Sequence, residues 1–306
     1  AFAAAGDLEA RVLRDYGTLA DASENHLKEC HFEEQSCAGG NAQIVANLLT
    51  AVGAVDEACD PYQASDVACL GGCDPTFAAL SWEWIAGDVV PTTDLIKQAI
   101  LDHGPISTSV YAGDSQAPTW QGQFSSWNGG DGLYYAGDET NNHAVMIVGW
   151  DDDHPHAGGG TGCWIMRNSW GEGWGDACGH GDSGGYCYIA YGSAGIGKFS
   201  SVITEVMPTY PELAVLGWDE GGWTMSFGYD DAVAWGMTRI ESPVATNLHR
   251  VEFWTTDATI DVDVSVYDQF SGGSPSGLLA SVSNLAFSAS GYHSVPLDAP
   301  LELHAG

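Results

Sequence analysis

The residues best suited to chemistry lie in one stretch, positions 142–191, which contains NHAVMIVGWDDD, then GCWIMRNSWGEGWG, then GGYCYIAY. His143 opens an apolar run, and Asn168 follows the next one with two tryptophans close behind. An asparagine oxygen can accept a hydrogen bond from one imidazole nitrogen, which fixes the tautomer and leaves the other nitrogen for a nucleophile. Either residue alone would be a core histidine or a turn asparagine. Together they predict a histidine placed to face a nucleophile.

The segments before this stretch are predicted to be mainly helical. Apolar side chains recur at helical spacing from Ala1 to Tyr16, and Gly17 is a natural C-terminal cap. Ser23 is a suitable N-cap for a short helix, and Thr93 for a later one that Gly104-Pro105 would end. Helices are therefore expected over 1–16, 23–30, the residues after 40, and 94–103.

After Pro105 the pattern changes to short apolar segments separated by glycine-rich loops, which is typical of strands. Strands are expected at 106–110, 144–150, 163–167 and 186–191. His143 then lies at the head of one strand, and Asn168 directly follows the next. Helices followed by strands predict an α+β domain in which the two element types are segregated.

The last third of the chain has a different pattern. Pro208 and Pro211 bracket a predicted linker, and helical periodicity is absent beyond it. Residues 251–253 and 260–266 alternate between apolar and polar side chains, with turns expected at Gly272-Gly273 and Gly291. This alternation predicts an antiparallel β-sandwich.

The motifs NHAV...VGW and NSWG-x-x-WG resemble a specific signature of the papain family of cysteine peptidases, and the resemblance extends over about two-thirds of the chain. It implies a papain-like fold with a helical half and an antiparallel β half. It also implies that His143 is the general base and imidazolium partner, and that Asn168 orients its ring. Trp170 is expected to shield their contact, and Trp174 to pack nearby.

Blocks in the N-terminal part resemble the same family in the same order. SENHLKEC at 23–30 is similar to the family's SEQQLVDC, CAGG at 37–40 to its CNGG, and GPIS at 104–107 to its GPVS. The CNGG glycines let a peptide backbone approach edge-on. The resemblance places the substrate-binding positions at Gly39, Gly40, Asn41, Ala42, Ser109 and Asn142.

Ala1-Phe2 is similar to the end of the family's CGSCWAF block, so the nucleophilic cysteine is expected two residues before Ala1. That register agrees with the ~130–150 residues expected between the cysteine and its histidine. The 306 residues alone are therefore expected to be inactive. The segment 35–39, QSCAG, superficially resembles the caspase nucleophile motif, but that motif needs its histidine ~50 residues upstream.

Eight cysteines favour an oxidising, extracellular or cell-surface location. The resemblance implies a Cys30–Cys69 disulfide and pairs Cys37 with a cysteine before Ala1. Proximity in sequence suggests two more bridges, Cys178–Cys187 and Cys59–Cys73. Cys69 and Cys73 lack a second cysteine pair of zinc-site spacing, so no metal is expected, and no cofactor either.

The charge balance argues against two classes of binding partner, nucleic acid and anionic membranes. The chain has 8 basic and 41 acidic residues, a formal net charge of −33. Such a surface repels nucleic acid and anionic membranes. No apolar run approaches the ~20 residues that span a bilayer.

The domains are predicted at 1–207, a peptidase domain with an incomplete N-terminus, and 211–306, with an incomplete C-terminus. The second contains LGW at 216–218, AWG at 234–236, FWTTD at 253–257 and GYHSV at 291–295. These segments resemble the lectin-like domain that follows papain-type peptidases in some archaeal and bacterial surface proteins. Its tryptophans are expected to fill the sandwich core, with a surface glycan or cell-wall polymer as a possible partner.

Three functions compete at this stage, and the third of them is a lectin-type binder that carries the peptidase domain as a passenger. The first is a secreted or surface-attached cysteine endopeptidase that acts on peptides or proteins. The alternative is a catalytically silent structural or adhesive surface protein built on the same scaffold, because a fold does not guarantee an activity. Retention of His143, Asn168 and Trp170 together favours the peptidase.

Overall fold

The computed structural model describes residues 1–33, 36–218, 222–223, 225 and 231–305 of the chain. It divides into two compact units, Ala1–Pro211 and Glu212–Gly306. Among the described helices, none combines the length and the apolar character needed to cross a bilayer.

Four of the five α-helices described in the first unit agree closely with the prediction. They are α1 Phe2–Tyr16, α2 Glu24–Glu29, α3 Ala42–Ala51, α4 Thr93–His103 and α5 Pro118–Ser126, with short 3-10 turns at Ser36–Ala38 and Ser193–Gly195. Gly17 adopts the left-handed conformation that ends α1. The N-cap of α4 is Thr92 rather than Thr93, because the Thr92 hydroxyl accepts the hydrogen bond from the N–H of Leu95.

The strands of the first unit form one antiparallel sheet. They are β1 Ala54–Val55, β2 Pro75–Trp84, β3 Ile106–Val110, β4 His143–His156, β5 Gly160–Arg167, β6 Tyr186–Ala190 and β7 Ser201–Pro208. Their order is β6-β5-β4-β3-β7-β2, and β1 pairs with β2. The mixed helical and antiparallel architecture confirms the α+β prediction, although β1, β2, β7 and α5 were not predicted.

Helix α1 lies against the sheet. Ala5, Leu8 and Val12 are almost completely buried, so one face of the helix packs on the sheet, as the apolar spacing predicts. Gly6 allows the close approach, because a Cβ at this position would collide with the sulfur of Met146 on β4. The helix is therefore held directly against the strand that His143 begins.

Asp7 lies on the same buried face of α1. Both of its carboxylate oxygens accept from the backbone N–H of Ile203 on β7, at 3.3 and 3.2 Å. Burial raises the pKa of Asp7 to about 8, although the Ile203 hydrogen bond and the charge of Arg11 act in the opposite direction. A buried carboxyl without a paired cation favours its neutral form.

The core of the β half is built on β4 and β5. Ile147, Trp164 and Met166 are fully buried there, and α5 adds Trp120 and Phe124 from one side. The two side chains of α5 are four residues apart, so they share one face of the helix. This core supports the strand ends that carry His143 and Asn168.

The structure contains two disulfides, Cys30–Cys69 and Cys59–Cys73, both of which were expected. The expected Cys178–Cys187 bridge is wrong, because both residues are free thiols. A disulfide depends on the geometry of the two Cβ atoms rather than on sequence spacing. Both side chains instead belong to the apolar core. Burial raises the pKa of Cys178 to about 12 and raises the pKa of Cys187 well above its usual value.

The second unit is made of strands. They are β8 Thr246–Thr255, β9 Asp261–Ser271, β10 Ser274–Ala286 and β11 Gly291–Leu303. Antiparallel pairs form between β8 and β11 and between β9 and β10. Gly272 and Gly273 make the predicted turn between β9 and β10, both with positive φ.

The tryptophans of this unit do not all fill its core, contrary to expectation. Trp218 and Trp235 are 74% and 86% exposed. Trp254 on β8 instead packs edge-on against Tyr292 of β11, with 5.4 Å between ring centroids. Alternation in strands predicts which positions face inwards, but Trp218 and Trp235 lie outside the strands, where that rule says nothing.

Candidate active site

His143 and Asn168 are brought together by adjacent strands. His143 is the first residue of β4, and Asn168 follows the last residue of β5, which pairs antiparallel with β4. The imidazole Nε2 lies 2.8 Å from the side-chain oxygen of Asn168. Because this oxygen can only accept, Nε2 carries the proton and Nδ1 is left for a reacting group.

Asn168 is held from several directions. Its backbone N–H donates to the carbonyl oxygen of Gly185 at 2.8 Å, and its side-chain oxygen also accepts from the N–H of Ser169 at 2.8 Å. The residue is 8% exposed. A buried amide fixed in this way gives the imidazole one defined orientation.

An aromatic group surrounds the imidazole. The ring of Trp170 lies 5.1 Å from that of His143, and Trp174 lies 5.6 Å from Trp170. Trp174 is buried, and its indole N–H donates to the carbonyl oxygen of Phe124 at 3.1 Å. The second tryptophan thus anchors α5 to the loop that carries the first.

Phe124 was missed in the sequence. It is fully buried on α5 and stands edge-on to His143, with 6.3 Å between the centroids, and also to Trp170 at 5.4 Å. Pro118 at the first helical position, followed by aromatic residues at 120 and 124, was the available signal. The other residues of this segment are mostly polar or small, so the segment lacks the apolar periodicity from which the other helices were predicted.

The environment lowers the pKa of His143. Burial of the ring is the larger effect, and the hydrogen bond to Asn168 acts in the opposite direction by favouring the protonated form. Asn168 therefore controls both the orientation of the ring and its ability to carry a proton.

The predicted substrate-binding residues at 39–42 lie at the start of α3. Gly39 and Gly40 are exposed, and Gly39 has a φ of 117°. Asn41 is the N-cap, since its side-chain oxygen accepts from the N–H of Ile44 at 3.0 Å, and Ala42 is the first helical residue. Cys37 just before them is an exposed free thiol, whereas Gln35 lies outside the described residues.

Ser109 and Asn142 use their polar groups within the protein. The Ser109 hydroxyl donates to the carbonyl oxygen of Lys198 at 2.9 Å and accepts from Asn141 at 2.7 Å. The Asn142 amide bonds to the backbone at Ala112 and Gly113. Both side chains therefore shape their surroundings instead of offering free polar groups.

Comparison with known proteins decides the family. The description "Papain family cysteine protease" matches residues 1–203. The chain belongs to the papain family. A second description, "Lectin like domain", matches residues 216–306.

Several papain-family relatives match the first unit. Cathepsin K of Mus musculus is 32% identical over 180 residues, which is 58% of this chain and 50% of the relative. Digestive cysteine proteinase 2 of Homarus americanus is 31% identical over 183 residues, covering 58% and 52%. The chain spans about half the length of these curated relatives.

Solved structures show the same fold. Bromelain protease from Ananas comosus, in complex with an inhibitor, has a TM-score of 0.52 and 22% identity over 68% of this chain and 86% of its own. The clostridial cysteine protease Cwp84, after propeptide cleavage, has a TM-score of 0.68 and 20% identity, and it covers all of this chain with 75% of its own.

The contribution of the Asn41 N-cap to the stability of α3 can be tested by mutation. Asn41→Ala removes the cap of α3, and we expect it to lower the free energy of unfolding by about 1 kcal/mol. Asn41→Asp is the matched control, because a carboxylate still accepts from the N–H of Ile44 and favours a helix N-terminus. Urea denaturation measures both variants; equal losses would show that the cap contributes nothing.

Proposed function

We propose that this chain is the larger part of a secreted or cell-surface cysteine endopeptidase that hydrolyses peptide bonds by a Cys-His-Asn mechanism. The observation that supports this most directly is the 2.8 Å hydrogen bond between Nε2 of His143 and Asn168. It leaves Nδ1 facing away from the asparagine, which is the arrangement that a nucleophile–base pair requires.

The nucleophile of this proposal is a cysteine two residues before Ala1. Ala1 is the N-cap of α1, so that cysteine stands at the N-terminus of the helix packed against β4. The positive end of the helix dipole and a protonated His143 both stabilise a thiolate there. Both effects lower the pKa of the thiol.

The reaction then follows from the positions of the protons. The thiolate attacks the peptide carbonyl carbon, and the imidazolium of His143 gives its Nδ1 proton to the departing amine. The neutral imidazole next takes a proton from water, whose oxygen attacks the thioester and releases the acid. Asn168 keeps the ring in one orientation through both steps.

The substrate of this peptidase is a peptide or protein. Gly39 and Gly40 are exposed and carry no side chains, which suits backbone pairing with an extended peptide. Asn41, Ala42 and Ser109 contribute small side chains to the specificity pocket in this proposal. The Ser109 hydroxyl is occupied by Lys198 and Asn141, so Ser109 acts there through its size.

The disulfides support a location outside the cell. Two of them are formed among the described residues, Cys30–Cys69 and Cys59–Cys73, and disulfides persist in oxidising compartments.

A glycan or cell-wall polymer is the proposed partner of the second unit. Trp218 and Trp235 expose most of their surface, and flat aromatic rings stack on the apolar faces of sugars. This binding role accompanies the peptidase and would remain if the active site were silent. Polysaccharide pull-down with and without Trp235→Ala separates the two roles.

The peptidase proposal is tested with an epoxysuccinyl probe on protein that carries the upstream cysteine. One probe adduct is expected on that cysteine, together with loss of peptide hydrolysis, because the probe alkylates thiolates activated by an imidazolium. Cys37→Ser is the matched control, since Cys37 is an exposed free thiol. This variant should be labelled and inhibited like the parent. An adduct that forms only on Cys37 contradicts the proposal.

A further inference from the structure

A second group of buried polar side chains lies at the end of α2. A ring nitrogen of His26, the sulfur of Cys30 and a carboxylate oxygen of Asp60 lie within 4.8 Å of one another. His26 and Cys30 are one helical turn apart, so they share a face, and Asp60 reaches them from the segment after β1. His26 and Asp60 are only 6% and 2% exposed. Nitrogen, sulfur and oxygen donors therefore converge inside the fold.

Hydrogen bonds leave one acceptor unused on each of two residues. Nε2 of His26 lies 3.3 Å from the carbonyl oxygen of Gly53, so it carries the proton, and Nδ1 is a lone pair with no partner among the described residues. One oxygen of Asp60 accepts from Asn25 at 2.8 Å, whereas the other is buried with no partner in the described part of the chain. Leaving such atoms buried and unpaired is energetically unfavourable. A cation bound to both would satisfy them.

Anchoring contacts hold these acceptors in place. The Ser23 hydroxyl, which caps α2, also donates to the backbone carbonyl oxygen of Asp60 at 2.5 Å. Asn25 holds the Asp60 carboxylate from the same turn of the helix.

The third donor, the sulfur of Cys30, is held in a disulfide and becomes a free ligand only when that disulfide is reduced. Cys30 is bonded to Cys69, and the two partners differ in exposure, because Cys69 is exposed whereas Cys30 is partly buried. A thiolate from solution therefore reaches the sulfur of Cys69 more easily. Its attack forms a mixed disulfide with Cys69 and releases Cys30 as a thiolate.

A dithiol completes the reduction. Its second thiol displaces Cys69 from the mixed disulfide, so the reagent becomes a cyclic disulfide and two electrons pass to the protein. Cys69 is left as an exposed thiol, and Cys30 as a thiolate next to His26 and Asp60.

We propose that reduction of Cys30–Cys69 by a dithiol converts this cluster into a binding site for a borderline divalent transition metal such as Zn²⁺, held by His26, Cys30 and Asp60. Tetrahedral zinc places its ligand atoms about 3.5 Å apart. Donors within 4.8 Å of one another therefore need shifts of about 1 Å. A water molecule fills the fourth position. The inference does not depend on peptidase activity.

The test uses Co²⁺ alone as an absorbing substitute for Zn²⁺, under anaerobic conditions. Cys69→Ser leaves Cys30 as a free thiol without any reductant. We expect it to bind one equivalent of Co²⁺ with a thiolate-to-cobalt charge-transfer band, which Zn²⁺ then removes. Adding Asp60→Asn should weaken Co²⁺ binding at least about tenfold, because one ligand loses its charge.

Cys30→Ser is the matched control, because it frees Cys69 instead and keeps every other thiol. It should show no such band. The proposal is overturned if Cys69→Ser gives no band, or if Cys30→Ser gives an equal one. Circular dichroism checks that Cys69→Ser folds. If it does not, the sample is instead wild-type protein that has been treated with a dithiol and then freed of the reagent. Absence of the band in that sample also overturns the proposal.

Discussion

Replacing His143 with alanine is expected to lower kcat/KM for a peptide substrate by about 10⁴-fold in protein that carries the upstream cysteine. The variant lacks both the imidazolium that stabilises the thiolate and the proton donor for the leaving amine. Asn168→Ala should cost less, about 10²-fold, because the imidazole remains but loses its fixed orientation. Steady-state kinetics with a fluorogenic peptide measures both variants.

The matched control for this prediction is His180→Ala, which removes an exposed histidine stacked on Tyr186 in the same unit. Its kinetics should equal those of the parent. If His143→Ala retained more than about a tenth of the parent activity, the assignment of the general base would be wrong.

The pH profile of Asn168→Ala provides a second readout. The hydrogen bond to Asn168 raises the pKa of His143 against the effect of burial, so its loss lowers that pKa. The imidazolium then loses its proton at a lower pH. We therefore expect the alkaline limb of kcat/KM to move to lower pH, a shift that a purely structural defect would not produce.

The largest expected effect on stability is at Asp7. Its pKa is raised to about 8 in the folded protein by burial, compared with about 4 in an unfolded chain. The folded state thus holds a proton that the unfolded state releases as pH rises above about 4. The linkage relation gives a free energy of unfolding that falls with pH throughout this interval, on the order of 4 kcal/mol between pH 4 and pH 7. Above pH 8 the loss is complete.

Asp7→Asn replaces the carboxyl with a neutral group of the same shape that can still accept from Ile203. At pH 8 we expect it to raise Tm by about 5–10 °C, and at pH 4 to change it little. The pKa of Glu24 is also raised, to about 7, by burial and by the nearby carboxylates of Glu57, Glu9 and Asp21. Residual pH dependence should therefore remain in the variant.

Thermal unfolding of both proteins from pH 4 to pH 9 measures the Asp7 contribution as the difference between two curves. Asp182→Asn, which alters an exposed carboxylate, is the control and should leave the curve of the parent unchanged. Parallel curves for the parent and Asp7→Asn would contradict a buried, protonated Asp7.

Much of the frame around the site could be predicted from the sequence because it depends on local chemistry. Apolar spacing and Gly17 define α1, and the Ser23 cap defines the start of α2. His143 heads a strand and Asn168 follows the next one, so an antiparallel hairpin brings them together without any distant contact. Turn and cap preferences act within a few residues, which is why these predictions agree with the structure.

Features that depend on distant contacts could not be predicted in this way. Phe124 becomes part of the site only when α5 packs against Trp174. The Cys178–Cys187 pairing was wrong because the core orients both side chains, and sequence spacing does not. In the sequence, Asp7 has no feature that distinguishes it from a solvent-exposed helix residue. It is buried because α1 packs against β7.

The sequence by itself determined the family and predicted the type of chemistry, because the histidine, asparagine and tryptophan motifs are short and contiguous. The tertiary structure alone decided which side chains are buried together. His26 and Asp60 are 34 positions apart in the sequence and lack any recognised metal-binding spacing, yet folding brings a ligand atom of each within 4.8 Å of the sulfur of Cys30. Burial and solvent exclusion are properties of the packed chain, so the pKa values and metal-binding capacity that follow from them are not visible in the order of residues.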